Sequence, residues 1–86
     1  MSEPVGAAAT ERVVLLGKAG CHLCDDARSV VAAVCAGTAV TWSERDITAS
    51  AADLAAYGEM IPVVFVDGQV HGYWRIDAER LRAALL

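Results

Sequence analysis

The stretch that decides the fold runs Gly17-Lys18-Ala19-Gly20-Cys21-His22-Leu23-Cys24-Asp25-Asp26. Two of its residues are cysteines three positions apart. Upstream lies Arg12–Leu16 (RVVLL), a short run rich in branched apolar residues, which predicts a strand buried on both faces. Glycines bracket the Gly17–Gly20 loop. Downstream, Leu23, Ala27, Val30, Val31 and Val34 recur at spacings of three and four, predicting a helix over His22–Ala36 with Gly37 as its stop. Asp25 and Asp26 fall in its first turn and suit the positive end of the helix dipole. Cys21 therefore stands where a buried strand gives way to a helix N-terminus. Unpaired N–H groups and partial positive charge favour a thiolate there, and Lys18 and His22 add positive charge nearby. Cys21 is expected to be the more exposed and more acidic thiol, hence the nucleophile. Cys24 is expected one turn inside, more buried and close enough to attack a mixed disulfide on Cys21.

Further along, Val40–Ile47 (VTWSERDI) alternates and predicts a strand near the sheet edge. Ser50 is placed as the cap of a short helix through Tyr57, with Gly58 after its end. Ile61–Val66 (IPVVFV) is the strongest strand signal, begun by Pro62, and Asp67-Gly68 is a two-residue hairpin turn leading into Gln69–Tyr73. Asp77 caps a last helix, with Ile76 and Leu81 as its hydrophobic staple and Leu85 continuing the buried stripe. The order β-α-β-α-β-β-α gives an α/β fold. Its first unit implies parallel strands joined by a right-handed crossover. The hairpin adds an antiparallel pair, so the sheet is mixed and four-stranded, with three helices covering both faces.

Composition bounds the rest. The chain has 86 residues, 56% of them hydrophobic, and a net charge of −4. It is too apolar to be disordered and too acidic to bind nucleic acid through bulk charge. No apolar run reaches the ~20 residues of a membrane-spanning helix. Residues 1–10 (MSEPVGAAAT) read as a flexible tail without the basic start of a signal peptide, leaving residues 11–86 as the domain and the cytoplasm as the expected compartment. Structural disulfides are rare there, whereas catalytic ones are expected. A Cys21–Cys24 disulfide closes too small a loop to brace the chain. The pair is better explained by thiol–disulfide exchange.

Pro62 sharpens that reading. A cis Ile61–Pro62 bond would expose the Ile61 backbone beside the dithiol, free to pair with an incoming peptide by short strand addition. The arrangement of strand, Ala19-Gly20-Cys21-His22-Leu23-Cys24, helix, strand, helix, Ile61-Pro62-Val63-Val64-Phe65-Val66-Asp67-Gly68, strand and helix resembles the thioredoxin superfamily, most closely its small glutaredoxin-like proteins. The resemblance spans residues 12–86. It implies a thioredoxin-like fold, Cys21 as nucleophile, Cys24 as resolving thiol and Pro62 as the cis-proline. It further implies thiol–disulfide oxidoreductase activity on protein or small-molecule disulfides. Glutathione or another small thiol, or a reductase, would donate electrons. The expected binding residues are Ile61, Pro62, Lys18 and His22. No tightly bound cofactor, no metal, no nucleic acid and no membrane are expected, and the chain is expected to be a monomer. His22-Leu23 replaces the Pro-Tyr of typical glutaredoxins, and Met60-Ile61 replaces their Thr-Val. Gly72 is followed by Tyr73 and Trp74 instead of a second glycine.

Two alternatives stay open: a non-catalytic binding module that docks a partner near Pro62, and an iron–sulfur carrier using Cys21 from two chains with external thiols. A zinc site normally needs four ligands. Cys35 lies about 16 Å along the helix from Cys24 at 1.5 Å per residue, too far to share one. Cys35 is expected to be a small buried residue, His71 a surface residue, and Tyr73 and Trp74 packing between the last strand and helix. Lys18 and Arg45 are candidates to meet a carboxylate of a small thiol.

Overall fold

The computed structural model describes residues 11–86; the tail assigned to residues 1–10 lies outside them. Strand β1 (Val13–Gly17) leads into helix α1 (His22–Thr38), then strand β2 (Trp42–Asp46), a 3-10 turn (Ile47–Ala49) and helix α2 (Ala51–Tyr57). Strands β3 (Val63–Val66) and β4 (Gln69–Tyr73) form the hairpin, and helix α3 (Ala78–Leu85) ends the chain. The sheet order is β2-β1-β3-β4. β1 runs parallel to β2 and antiparallel to β3, and β3 pairs antiparallel with β4. The α/β architecture is the expected one: a mixed four-stranded sheet with three helices.

Strand alternation divides the core between the two faces. Val13 and Leu15 of β1 and Val64 of β3 pack with Ala27, Val31, Val34 and Cys35 of α1 and with Leu81 and Leu85 of α3. Leu16 and Val63 point the other way and pack with Ile47, Tyr57, Met60 and Ile61. The Tyr57 and Phe65 rings meet edge to face there, 5.4 Å apart. Burial of these apolar side chains, each contributing about 1.5–3 kcal/mol, holds the fold without any disulfide: all three cysteines are free.

Local signals work where short-range hydrogen bonds set the geometry. Ser50 Oγ accepts the Asp53 N–H at 3.2 Å. Asp77 Oδ1 accepts the N–H groups of Glu79 and Arg80 at 2.8 and 3.1 Å. Asp67 and Gly68 both take positive φ, 52° and 85°, as a tight hairpin turn requires. Arg12 anchors this turn through a paired ion bridge to Asp67 at 3.0 Å, and its Nη1 donates to the Leu85 carbonyl at 3.1 Å.

Four boundaries differ from the sequence reading. The strand expected over Ile61–Val66 begins only at Val63, so Ile61 and Pro62 lie before it. Helix α1 does not stop at Gly37. Thr38 Oγ1 donates to the Val34 carbonyl at 2.8 Å, and the left-handed residue is Ala39, at φ 58°. The stop is set by Val40, which must turn back to the core against which it packs. The strand over Val40–Ile47 is shortened to Trp42–Asp46, because Asp46 accepts the Thr48 N–H at 2.8 Å and its Oγ1 at 2.7 Å, curling the chain into the 3-10 turn. β1 extends one residue further than expected, through Gly17, which pairs with Asp46.

Candidate active site

The sheet register gathers the sequence-predicted residues at one end. Leu16 of β1 pairs with Val63 of β3, and Val63 pairs with Tyr73 of β4. The loop carrying Cys21, the Ile61-Pro62 entry to β3 and the exit of β4 therefore emerge from the same end of the sheet. It is also the carboxyl end of the parallel pair β1 and β2, where ligand crevices of open α/β sheets form.

Cys21 is the N-cap residue of α1. It has extended backbone angles (φ −104°, ψ 114°), and its Sγ accepts the Cys24 N–H at 3.2 Å. The thiol thus does what a Ser or Asp oxygen does at an ordinary cap, satisfying one orphan donor of the first turn. It stays half-exposed.

Cys24 is completely buried one turn inside. Burial, then a hydrogen bond with the Cys21 side chain, push its thiol up to about 11; the Lys18 backbone and the Arg28 charge pull the other way. At neutral pH it holds its proton. Gly17 makes room for it: a Cβ at Gly17 would lie 3.0 Å from Cys24 Sγ. Sequence reasoning placed Gly17 in a loop and missed this. The available signal was a glycine at the end of a strand, which often marks close approach of another group.

Around the pair, Lys18 is exposed and lines a recess of about 400 Å³ with Gly17, Ala19, Arg28, Glu44 and Asp46. Arg28 ties α1 to β2 through Glu44 at 2.7 and 2.8 Å and also holds Asp25 at 2.7 Å. The hydrogen bond from Arg28 keeps the Glu44 carboxyl below its ordinary range. His22 is exposed at the first position of α1. The Ile61–Pro62 peptide bond is cis. Ile61 lies outside the β3 ladder and its side chain packs in the smaller core.

Other expectations do not hold. Tyr73 and Trp74 do not pack between β4 and α3, and Leu23, in the first turn of α1, is half-buried. Tyr73 is 44% and Trp74 52% exposed. Their rings meet edge to face 5.1 Å apart, and together with Leu23 and Arg75 they line a groove of about 400 Å³ beside the first turn of α1. Trp74 sits at φ 62°, a region bulky L residues rarely adopt. Two hydrogen bonds hold it there: its backbone N–H donates to the Pro62 carbonyl at 2.9 Å, and its indole Nε1 to the Glu59 carbonyl at 3.1 Å.

Arg45 is not brought to the cysteines; it pairs with Asp53 at 3.3 Å and lines a recess with Val14 and Phe65. Cys35 is buried, as expected. His71 is half-buried, and burial, followed by the Arg80 charge, lowers its pKa. Among the described residues, no group of three His, Cys, Asp or Glu side chains is placed to hold a metal. No helix among them is long and apolar enough to cross a membrane.

A thioredoxin-type sheet with a Cys-x-x-Cys pair at the N-terminus of its first helix defines a glutaredoxin-like protein of the thioredoxin superfamily. Comparison with known proteins places it more narrowly. Residues 12–86 match the family described as Glutaredoxin-like domain (DUF836), and the chain belongs to that family. It is 35% identical over 77 residues to the uncharacterized protein Rv0508 of Mycobacterium tuberculosis, covering 84% of this chain and 79% of that one. An X-ray structure of protein XcR50 from X. campestris is 36% identical, covers 85% of this chain and 93% of its own, and superposes with a TM-score of 0.69. A wheat glutaredoxin, 18% identical over 93% of this chain and 84% of its own, shares the fold with a TM-score of 0.59.

Proposed function

We propose that the protein is a thiol–disulfide oxidoreductase working through Cys21 and Cys24. The observation that carries this reading is the asymmetry of the pair. Cys21 is half-exposed at a helix N-cap, whereas Cys24 is buried and protonated but in contact with it through the 3.2 Å N–H···Sγ bond. Helix N-termini favour thiolates, and the thiolate is the attacking species.

In the first step the Cys21 thiolate attacks a substrate disulfide RS–SR′. A Cys21–SR bond forms, the S–S bond breaks, and R′S⁻ leaves and takes up a proton from solvent. In the second, Cys24 gives up its proton and attacks Cys21 Sγ. The Cys21–Cys24 disulfide forms and RS⁻ leaves. The substrate gains two electrons and the dithiol loses two. Two molecules of a monothiol such as glutathione, or one dithiol reductase, return them by the reverse exchange. Lys18 and His22 supply cationic or hydrogen-bonding groups at the mouth of the site. The Ile61 backbone ahead of Pro62 offers unladdered polar groups to an extended substrate. Protein or small-molecule disulfides are the substrate class, and the cytoplasm, with its reducing thiol pool, suits the reaction.

Equilibration of the protein against a defined thiol–disulfide buffer tests the reading. A reversible two-electron transition is expected, with Cys24→Ser accumulating a mixed disulfide and Cys21→Ser inert. Equal reactivity of the two variants would refute the assigned roles, and a pair that cannot be reversibly oxidised would refute the activity.

A further inference from the structure

The second exchange step needs a thiolate where the fold has buried a thiol. Cys24 is completely buried, and burial is the largest influence keeping its proton in place. Gly17 borders it: a Cβ there would lie 3.0 Å from Cys24 Sγ, so no Gly17 side chain shields the sulfur. Gly17 also borders the recess of about 400 Å³ completed by Lys18, Ala19, Arg28, Glu44 and Asp46. Lys18, Ala19, Glu44 and Asp46 are exposed, so the recess faces solvent. Only the Gly17 backbone separates the buried sulfur from this charged hollow.

Strand register gathers the charges there. Glu44 pairs with Leu15 and Asp46 with Gly17 on parallel strands, and residues so paired share one face of the sheet. Leu15 packs against α1, so both carboxylates stand on the α1 side. Arg28 meets them from the helix. It lies four residues after Cys24, one turn on along the same face. Glu44 holds its guanidinium at 2.7 and 2.8 Å, and Asp25 holds it at 2.7 Å. Two-point pairing of this kind fixes a guanidinium in place. The ionisable groups around Cys24 are thus Lys18 and Cys21 from the loop, Asp25 and Arg28 from α1, and Glu44 and Asp46 from β2. The Arg28 charge and the Lys18 backbone favour the ionised sulfur, whereas Cys21 opposes it. Once Cys21 is bound in a mixed disulfide that opposition ends, and the Arg28 charge remains.

We propose that Arg28 is the positioning residue of the resolving step: held by Glu44 and Asp25, its fixed charge stabilises the anion on Cys24 Sγ as the proton leaves past Gly17 to water in the recess. The Cys24 thiolate then forms the S–S bond to Cys21, the Cys21–SR bond breaks, and RS⁻ takes up a proton from solvent. Glu44 acts with the opposite sign, because it offsets part of the charge it holds. This rests on the oxidoreductase reading, whose first step does not call on Arg28.

Stopped-flow reduction of a dipyridyl disulfide by the full reduced chain separates the two steps. One thiopyridone is released as the Cys21 mixed disulfide forms, and a second as Cys24 resolves it. Arg28→Gln should move the pH profile of the second phase up by about one unit. Because a more basic thiolate is the better nucleophile, the net slowing at neutral pH should be about threefold. Arg28→Lys should recover the rate. Glu44→Gln should do the reverse, moving the profile down and speeding the second phase by about twofold, since the amide still accepts from Arg28 but no longer offsets its charge. A clamp that merely tied α1 to β2 would be weakened from either side with the same result. Second phases slowed alike by Arg28→Gln and Glu44→Gln, or a first phase slowed as much as the second, would overturn the proposal. The Glu44→Gln arm stands even if Arg28→Gln fails to fold. Absence of a second release from the unmodified chain would sink the oxidoreductase reading and this one with it. A normal second release that neither substitution moves would sink this one alone.

Discussion

The two ends of helix α1 hold cysteines under opposite conditions. At its N-terminus Cys21 is half-exposed, caps the helix through its sulfur and has Cys24 directly beneath it. At its C-terminal end Cys35 is buried among Val31, Val34 and the strands of the larger core, and burial alone raises its pKa. Its backbone, not its sulfur, does the local work, with the Cys35 carbonyl accepting the Val40 N–H at 3.0 Å. The same residue type is chemistry at one end and packing at the other. What differs is the helix terminus. The N-terminus offers unpaired donors that stabilise an anion, and the C-terminus offers carbonyls that do not. Exposure adds to this, because an inert thiol needs only to be out of reach.

The comparison is most sharply tested by exchange kinetics. Cys21→Ser should abolish disulfide reduction, and Cys24→Ser should stall it after the first step, with the mixed disulfide visible as added mass. Residual turnover in Cys21→Ser would transfer the nucleophile's role elsewhere. A second test crowds the buried member. Gly17→Ala would bring a Cβ to 3.0 Å from Cys24 Sγ. It is expected to lower stability by about 1–3 kcal/mol, as overpacking does, and to slow resolution of the mixed disulfide more than its formation. Denaturant unfolding and stopped-flow exchange read the two effects.

Proton linkage gives a third test. The Cys24 thiol is raised to about 11 by burial and by its hydrogen bond with Cys21. An unfolded thiol titrates near ~8.5, so the folded state holds a proton that the unfolded state releases. The stabilisation is fully present below about pH 8.5 and is lost as pH rises toward 11. Cys24→Ala should flatten that part of the stability–pH curve. An unchanged curve would mean that Cys24 is not held as a buried thiol. The smallest effect is expected at the other end of α1. Cys35→Ala should cost about 1 kcal/mol as a single core truncation and leave the redox transition where it was. A shift of that transition would break the contrast between the two ends.

The sequence was legible where neighbouring residues decide the geometry. Cys21 at the strand–helix junction, the Asp67-Gly68 turn, the Ser50 and Asp77 caps and the Ile76–Leu81 staple all act over a few positions, and each appears in the fold with its expected partners. Legibility failed where distant segments meet. Gly37 carries a stronger local stop signal than Ala39, yet the return of Val40 to the core sets the turn. Leu23 has core spacing on its helix, but the residue it faces is decided by where β4 ends. Trp74 could not be read as left-handed, because its conformation depends on carbonyls of Glu59 and Pro62 that only the folded sheet brings within reach. The cysteine half of the site was thus readable and the groove half was not.

The central claim, that Cys21 and Cys24 form the working redox pair while Cys35 stands apart, is most directly tested by redox titration followed by peptide mass mapping. The account predicts one reversible two-electron transition, a Cys21–Cys24 disulfide in the oxidised protein and a free Cys35 thiol throughout. A disulfide that includes Cys35, or cysteines that oxidise only irreversibly, would contradict it.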